Sequence, residues 1–125
     1  MSTKKILLAD DEPDIARILK RYLELDGYEA EISSTGKEAL NKIASNKYDL
    51  LILDVMMPEV NGWEVCKKVK ENPQTKDIPV IILTAKTQNV DTLMSFECGA
   101  DEYAPKPFDY PELSLQIKKL LAQKE

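Results

Sequence analysis

A doubly wound α/β fold, with a five-stranded parallel sheet covered by five helices, is the architecture this sequence predicts, and two patterns predict it. Short apolar runs alternate along the chain with segments whose apolar residues recur at helical spacing, the signature of strand and helix units in succession. Two of the runs, Leu50 to Leu53 and Pro79 to Leu83, are apolar throughout, as strands buried on both faces require. The 125 residues suit one domain spanning residues 1–125. A chain of that length buries roughly two-thirds of its unfolded surface, so it needs no disulfide or metal to hold a core.

The first run, Ile6 to Ala9, stops at Asp10-Asp11-Glu12-Pro13, where the proline suits the first turn of a helix. Ile15, Ile18, Leu19, Tyr22 and Leu23 then form one apolar stripe that ends near Gly27. A short strand, Glu29 to Ile32, leads to Thr35-Gly36-Lys37-Glu38, which has the form of a capping box. Ala39, Leu40, Ile43 and Ala44 supply the buried face of the second helix. The third strand ends at Asp54, and the turn-rich stretch Met57 to Gly62 feeds a third helix with Trp63, Val65, Cys66 and Val69 as its apolar residues. Pro73 closes that helix, and the fourth strand ends at Thr84. A fourth helix is expected around Val90 to Cys98, on a ragged stripe of Val90, Leu93, Met94 and Phe96. A brief fifth strand, Glu102 to Ala104, reaches Pro105-Lys106-Pro107. Asp109 and Glu112 then open a last helix whose Leu113, Ile117, Leu120 and Leu121 keep helical spacing.

Composition narrows the function classes. Lys and Arg total 17 against 22 Asp and Glu, and the net charge of −5 opposes direct binding to nucleic acid or to an anionic membrane. Four apolar residues stand between Lys5 and Asp10, too few for a signal-peptide core or a membrane span, so a cytoplasmic protein is expected. Cys66 and Cys98 lack the spacing of a zinc or redox pair and read as reduced, semi-buried thiols. The chain has no histidine, which excludes a serine–histidine or cysteine–histidine catalytic pair and any phosphohistidine carried on this chain.

In open parallel α/β sheets the ligand crevice lies beyond the carboxyl ends of the strands. Asp10 and Asp11 follow strand one, Asp54 follows strand three, Thr84 follows strand four and Lys106 follows strand five. If strands one and three are neighbours, three carboxylates converge and their repulsion demands a cation. Oxygen ligands suit Mg2+, and no cysteine or histidine cluster suggests zinc. With charge so shielded, the Asp54 carboxylate can attack a phosphoryl group, and Thr84 and Lys106 can stabilise its oxygens. Singly, each residue has a plainer reading. Asp10 and Asp11 suit a helix N-terminus, Asp54 suits a turn, Thr84 can satisfy a backbone group, Lys106 can be a solvated loop lysine and Tyr103 can be packing. Their conjunction, complementary chemistry at four strand ends, is what points to a site.

Asp10-Asp11, Asp54 through Pro58 to Gly62, Thr84-Ala85, Gly99 to Tyr103 and Lys106-Pro107-Phe108 together resemble the receiver domain of two-component response regulators, in order and in spacing, over the whole chain. The resemblance implies a flavodoxin-like receiver fold with strand order 2-1-3-4-5. It implies that Asp54 is the phosphoacceptor, that Asp11, Asp54 and the Met56 backbone carbonyl bind Mg2+, and that Asp10 contacts the ion mainly through water. Thr84 and Lys106 would bind the phosphoryl group, Tyr103 would be the switch aromatic, and Pro107 would follow a cis peptide bond. The implied donor is a phosphohistidine on a sensor histidine kinase or a phosphotransfer protein. The implied output is partner binding at the face of helix four, strand five and helix five, with phosphorylation-dependent homodimers as one form. Because the chain stops just after its last helix, output is expected to pass through a separate target. Met56 and Lys86, two residues beyond Asp54 and Thr84, are not fixed by the family pattern and are expected to obstruct the water that removes the phosphoryl group.

Three other readings stay open at this point. A phosphatase of the haloacid dehalogenase type needs a second acid two residues after the nucleophile, where Met56 stands. A nucleotide- or flavin-binding module needs a phosphate-cradling loop, and the four glycines are scattered. A receiver-shaped docking protein that is never phosphorylated has no need of the full acidic and Thr-Lys set.

Overall fold

The computed structural model describes residues 3–57, 59–85 and 99–124. Five strands, β1 (Lys5–Ala9), β2 (Glu29–Ser33), β3 (Leu50–Asp54), β4 (Val80–Ala85) and β5 (Glu102–Lys106), pair in parallel in the order β2-β1-β3-β4-β5. The intervening helices are α1 (Pro13–Leu25), α2 (Gly36–Ser45) and α3 (Gly62–Glu71), and a C-terminal helix spans Tyr110–Lys124. The expected fourth helix, Val90 to Cys98, lies outside the described residues, as does Lys86. Among the described residues no helix is long and apolar enough to cross a membrane.

The period-two alternation of strand side chains divides the core in two. Leu7, Ala9, Leu51, Leu53, Val80 and Ile82 face α2 and α3, where they meet Ala39, Ile43, Val65, Cys66 and Val69. Ile6, Leu8, Leu50, Ile52, Ile81 and Leu83 face the opposite way, against Leu19 and Leu23 of α1 and Leu113, Ile117 and Leu120 of the C-terminal helix. Both faces of β1, β3 and β4 are therefore dry, and each fully buried leucine or isoleucine contributes roughly 1.5–3 kcal/mol of transfer free energy. Side chains along these strands have no route to water until the strands end.

Helix entries follow the local sequence. Thr35 Oγ1 accepts the Glu38 amide at 3.1 Å, while Glu38 Oε1 accepts the Ser34 amide at 3.2 Å rather than that of Thr35, so the capping box is shifted by one residue on its return leg. Asn61 Oδ1 accepts the Glu64 amide at 3.0 Å to open α3. At α1, Pro13 occupies the first turn and Glu12 the N-cap, with no side-chain cap bond. The apolar stripe of α1 is wider than its contact. Ala16, Leu19 and Leu23 are buried, whereas Ile18, Tyr22 and Leu25 are exposed. Residues three and seven apart share the sheet-facing line, and Ile18 and Tyr22 are rotated off it. Tyr22 instead stacks on Tyr110, with ring centroids 4.7 Å apart, and meets the edge of Phe108. The Tyr110 and Ser114 hydroxyls both donate to Asp26 Oδ2, at 2.7 and 3.0 Å, fastening the end of α1 to the C-terminal helix.

Register carries the fold into the site. Ala9 pairs with Leu53, Asp54 with Leu83 and Ala85 with Lys106, so the polar residues that end β1, β3, β4 and β5 emerge along one edge. The loop after β3 is pinned against that edge. The Gly62 amide donates to the Val55 carbonyl at 3.2 Å, and a Cβ on Gly62 would overlap the Asp54 carbonyl oxygen. Gly62→Ala is therefore expected to lower stability by about 1–3 kcal/mol, read from urea midpoints, and to shift the amide resonances around Asp54. An unchanged midpoint would contradict so close an approach.

Candidate functional site

β1 delivers Asp10 and β3 delivers Asp54 as neighbours, and both side chains are shut away from water, at 0% and 2% exposure. Backbone amides orient them. The Glu12 amide donates to Asp10 Oδ1 at 2.9 Å, and the Met56 amide donates to Asp54 Oδ1 at 3.3 Å. Lys106, at the end of β5, reaches across the edge with its Nζ 3.2 Å from Asp54 Oδ2 and 3.6 Å from Asp10 Oδ2. Its shortest contact is to Glu12 Oε1, at 2.9 Å.

The remaining residues singled out from sequence lie around this centre. Asp11 is exposed and shares a carboxylate cluster with Asp10, Glu12 and Asp54, in which one oxygen of each lies within 4.8 Å of the others. Thr84 is buried one residue beyond Leu83, the register partner of Asp54. Met56 is two-thirds exposed at the rim. Tyr103 sits on β5 opposite Ile82, partly exposed, and its carbonyl accepts a hydrogen bond from Gln116 Nε2 at 3.3 Å. The Lys106–Pro107 peptide bond is cis. Sequence reasoning missed Glu12 as a contributor. The signal was present in its position directly after the paired aspartates, but a glutamate before a proline also reads as an ordinary helix entry.

The charges explain the protonation behaviour of the site. Burial first, and the neighbouring Asp10 carboxylate second, push the Asp54 pKa up to about 6, with Lys106 and the Met56 amide pulling the other way. Burial alone would lower the Lys106 ammonium. Its hydrogen bond to Glu12 and the fields of Asp54 and Asp10 outweigh that and hold it above its ordinary value. Asp10 Oδ2 is buried with no hydrogen-bond partner among the described residues, 3.6 Å from the ammonium. An all-oxygen donor set with one buried acceptor left over fits a hard divalent cation such as Mg2+. A cavity of about 620 Å³ lies elsewhere. It is lined by residues 43–49 with Gln74, Thr75 and Ile78, which lead into β3 and β4, and so opens at the opposite edge of the sheet from this cluster.

Comparison with known proteins finds relatives over most of the chain. The family model of the response regulator receiver domain matches residues 6–118. Response regulator SaeR of Staphylococcus aureus is 47% identical over 118 residues, covering 94% of this chain and 50% of its own length. The chain thus spans about half the length of the curated relatives it matches. Among solved structures, response regulator TrrA of Thermotoga maritima, in complex with Mg(2+)-BeF, is 42% identical with a TM-score of 0.85, covering 94% of this chain and 99% of its own. The chemotaxis protein CheY4 of Vibrio cholerae is 31% identical with a TM-score of 0.88, covering 95% and 99%. The signal receiver domain of a histidine kinase from Syntrophus aciditrophicus is 38% identical with a TM-score of 0.92, covering 97% and 92%.

The raised Asp54 pKa has a consequence for stability. Because the folded protein holds this proton more tightly than the unfolded chain, the contribution of the group is complete below the ordinary value of 3.8 and is lost as pH rises through about 6. Asp54→Asn, similar in shape and uncharged, is therefore expected to resist urea better than wild type at pH 8 in metal-free buffer, by about 1–3 kcal/mol. The gap should close as pH falls from 7 to 4. A gap that is absent at pH 8, or that widens on acidification, would contradict burial as the dominant influence on Asp54.

Proposed function

Because this chain belongs to the response regulator receiver domain family of two-component signalling, we propose that Asp54 is its phosphoacceptor and that residues 1–125 act as one phosphorylation-controlled switch. The observation that carries this reading is a buried carboxylate held between a second buried acid and an ammonium, 3.2 Å away, at the edge where β1, β3 and β5 end.

The donor in this reading is a phosphohistidine on a sensor histidine kinase or a phosphotransfer protein. An Asp54 carboxylate oxygen attacks phosphorus, a P–O bond forms, the P–N bond breaks and the imidazole leaves on the donor. Asp11, Asp54 and the Met56 carbonyl would hold Mg2+, with Asp10 contributing mainly through water, and the ion would supply charge neutralisation at the phosphoryl oxygens. Lys106 and the Thr84 hydroxyl stabilise the same oxygens, since phosphoryl transfer rests on positioning and on countering charge. The only chemistry assigned to the protein is its own phosphorylation and dephosphorylation.

Two such contacts are of the size a switch requires. Moving a population from 1:99 to 99:1 takes about 5.5 kcal/mol. Hydrogen bonds to charged groups contribute roughly 1.5–3 kcal/mol each, so Thr84 and Lys106 together supply about 3–6 kcal/mol. As Thr84 moves toward the phosphoryl group, the partly exposed Tyr103 turns inward and alters the face formed by β5 and the C-terminal helix. That face binds the downstream target or a second copy of the chain. The net charge of −5 opposes direct contact of this chain with nucleic acid or an anionic membrane.

Incubation with acetyl phosphate and Mg2+, followed by intact mass measurement, is expected to give an adduct of one phosphoryl group that disappears in Asp54→Asn and without Mg2+. No adduct on the wild-type protein would favour a docking module that is never phosphorylated. Met56 stands two residues after Asp54 and is two-thirds exposed, so Met56→Asn is expected to shorten the adduct lifetime by about three- to tenfold, a barrier change of roughly 0.7–1.4 kcal/mol. An unchanged lifetime would remove Met56 from the control of hydrolysis.

A further inference from the structure

Glu12 stands where its side chain has an unusual choice. It is the N-cap residue of α1, with extended backbone angles, a position at which a side-chain oxygen ordinarily accepts an amide of the first turn. It makes no such bond. Its carboxylate is turned instead toward the end of β5, where it receives the Lys106 ammonium at 2.9 Å, across 94 residues of sequence. Of the three carboxylates around that ammonium it is the nearest, and at 58% exposure it is the only one of the three open to water.

We propose that Glu12 is a positioning residue for phosphoryl transfer, holding Lys106 at the mouth of the site so that Lys106 exchanges Glu12 for phosphoryl oxygens when Asp54 is loaded. This deepens the phosphoacceptor reading and rests on it. The geometry favours Glu12 as the partner released. An ammonium has three donors and no acceptor, and phosphoryl oxygens arriving at Asp54 add competing acceptors. Asp10 and Asp54 are buried and would be left as uncompensated charges if Lys106 departed from them, whereas the exposed Glu12 carboxylate is rehydrated by solvent at small cost. The backbone of the same residue already fixes Asp10 through its amide, at 2.9 Å. Glu12 thus orients the acid that follows β1 with its main chain and the ammonium of β5 with its side chain.

The test is the affinity for fluoroberyllate, a phosphoryl mimic, at saturating Mg2+, followed by 19F NMR in four proteins: wild type, Glu12→Gln, Lys106→Met and the double variant. Removing the competing charge is expected to tighten fluoroberyllate binding about two- to fivefold, the range of one exposed ion pair. In the Lys106→Met background the same substitution should change affinity by less than about 1.5-fold, because the effect travels through the ammonium. Equal tightening in both backgrounds would assign the effect to the overall field of Glu12 and overturn the proposal, as would an unchanged affinity in Glu12→Gln alone. Glu12→Ser, which can cap α1, should reproduce the tightening if loss of the ion pair is its cause, and failure to do so would also overturn it. Wild-type protein that binds no fluoroberyllate with Mg2+ would sink the phosphoacceptor reading together with this inference.

Discussion

Two carboxylates, Asp10 and Asp54, are forced side by side in a place that water does not reach. The register of β1 on β3 leaves them no alternative, since Ala9 pairs with Leu53 and the next residue on each strand is an aspartate. Oxygens within 4.8 Å of one another repel by roughly 3.5 kcal/mol at an effective dielectric constant of about 20. The Asp54 pKa near 6 registers that strain together with burial. A site in this condition calls for positive charge, and Lys106 at 3.2 Å supplies part of it. The donor atoms that remain are all oxygens, which is the chemistry of a hard cation.

The same hydrophobic rule that stabilises the domain also isolates its chemistry. With β1, β3 and β4 buried on both faces, a polar side chain is tolerated only where a strand ends, so the sheet acts as an apolar rod bundle with its reactive groups confined to one edge. The loop after β3 is closed down on the Asp54 backbone at Gly62. The β5 edge is braced from the other side, because Phe108 and Tyr110, which follow Lys106 and Pro107, pack with Tyr22 of α1. Position and burial of the site residues are thus consequences of core packing, and single substitutions remote from the acids can be felt by them.

Much of this was legible in the sequence. Strands apolar at every position left little freedom in where β3 and β4 run, and the residues at their ends identified the edge that carries Asp54 and Thr84. What periodicity could not resolve was how much of a stripe is covered. Ile18 and Tyr22 fit the helical pattern of α1 and yet are exposed, because the sheet reaches only the line of Ala16, Leu19 and Leu23. Nor could spacing show that β5 continues to Lys106, two residues past Ala104, since Pro105 interrupts the pattern by which a strand is recognised. Glu12 was missed for a related reason. Its role depends on a partner 94 residues away, and local sequence offered only a plausible helix entry.

Whether the tips of β1 and β3 form one cation site is decided by metal titration. Titration with Mn2+ as a paramagnetic stand-in for Mg2+, read in amide NMR spectra, tests it most directly. Broadening should begin at the amides of Asp10, Asp11, Asp54 and Met56, at one equivalent or less, and be relieved by excess Mg2+. Broadening that starts instead at Glu29 and Glu31 on the outer strand, or that spreads over the acidic surface without preference, would contradict the account.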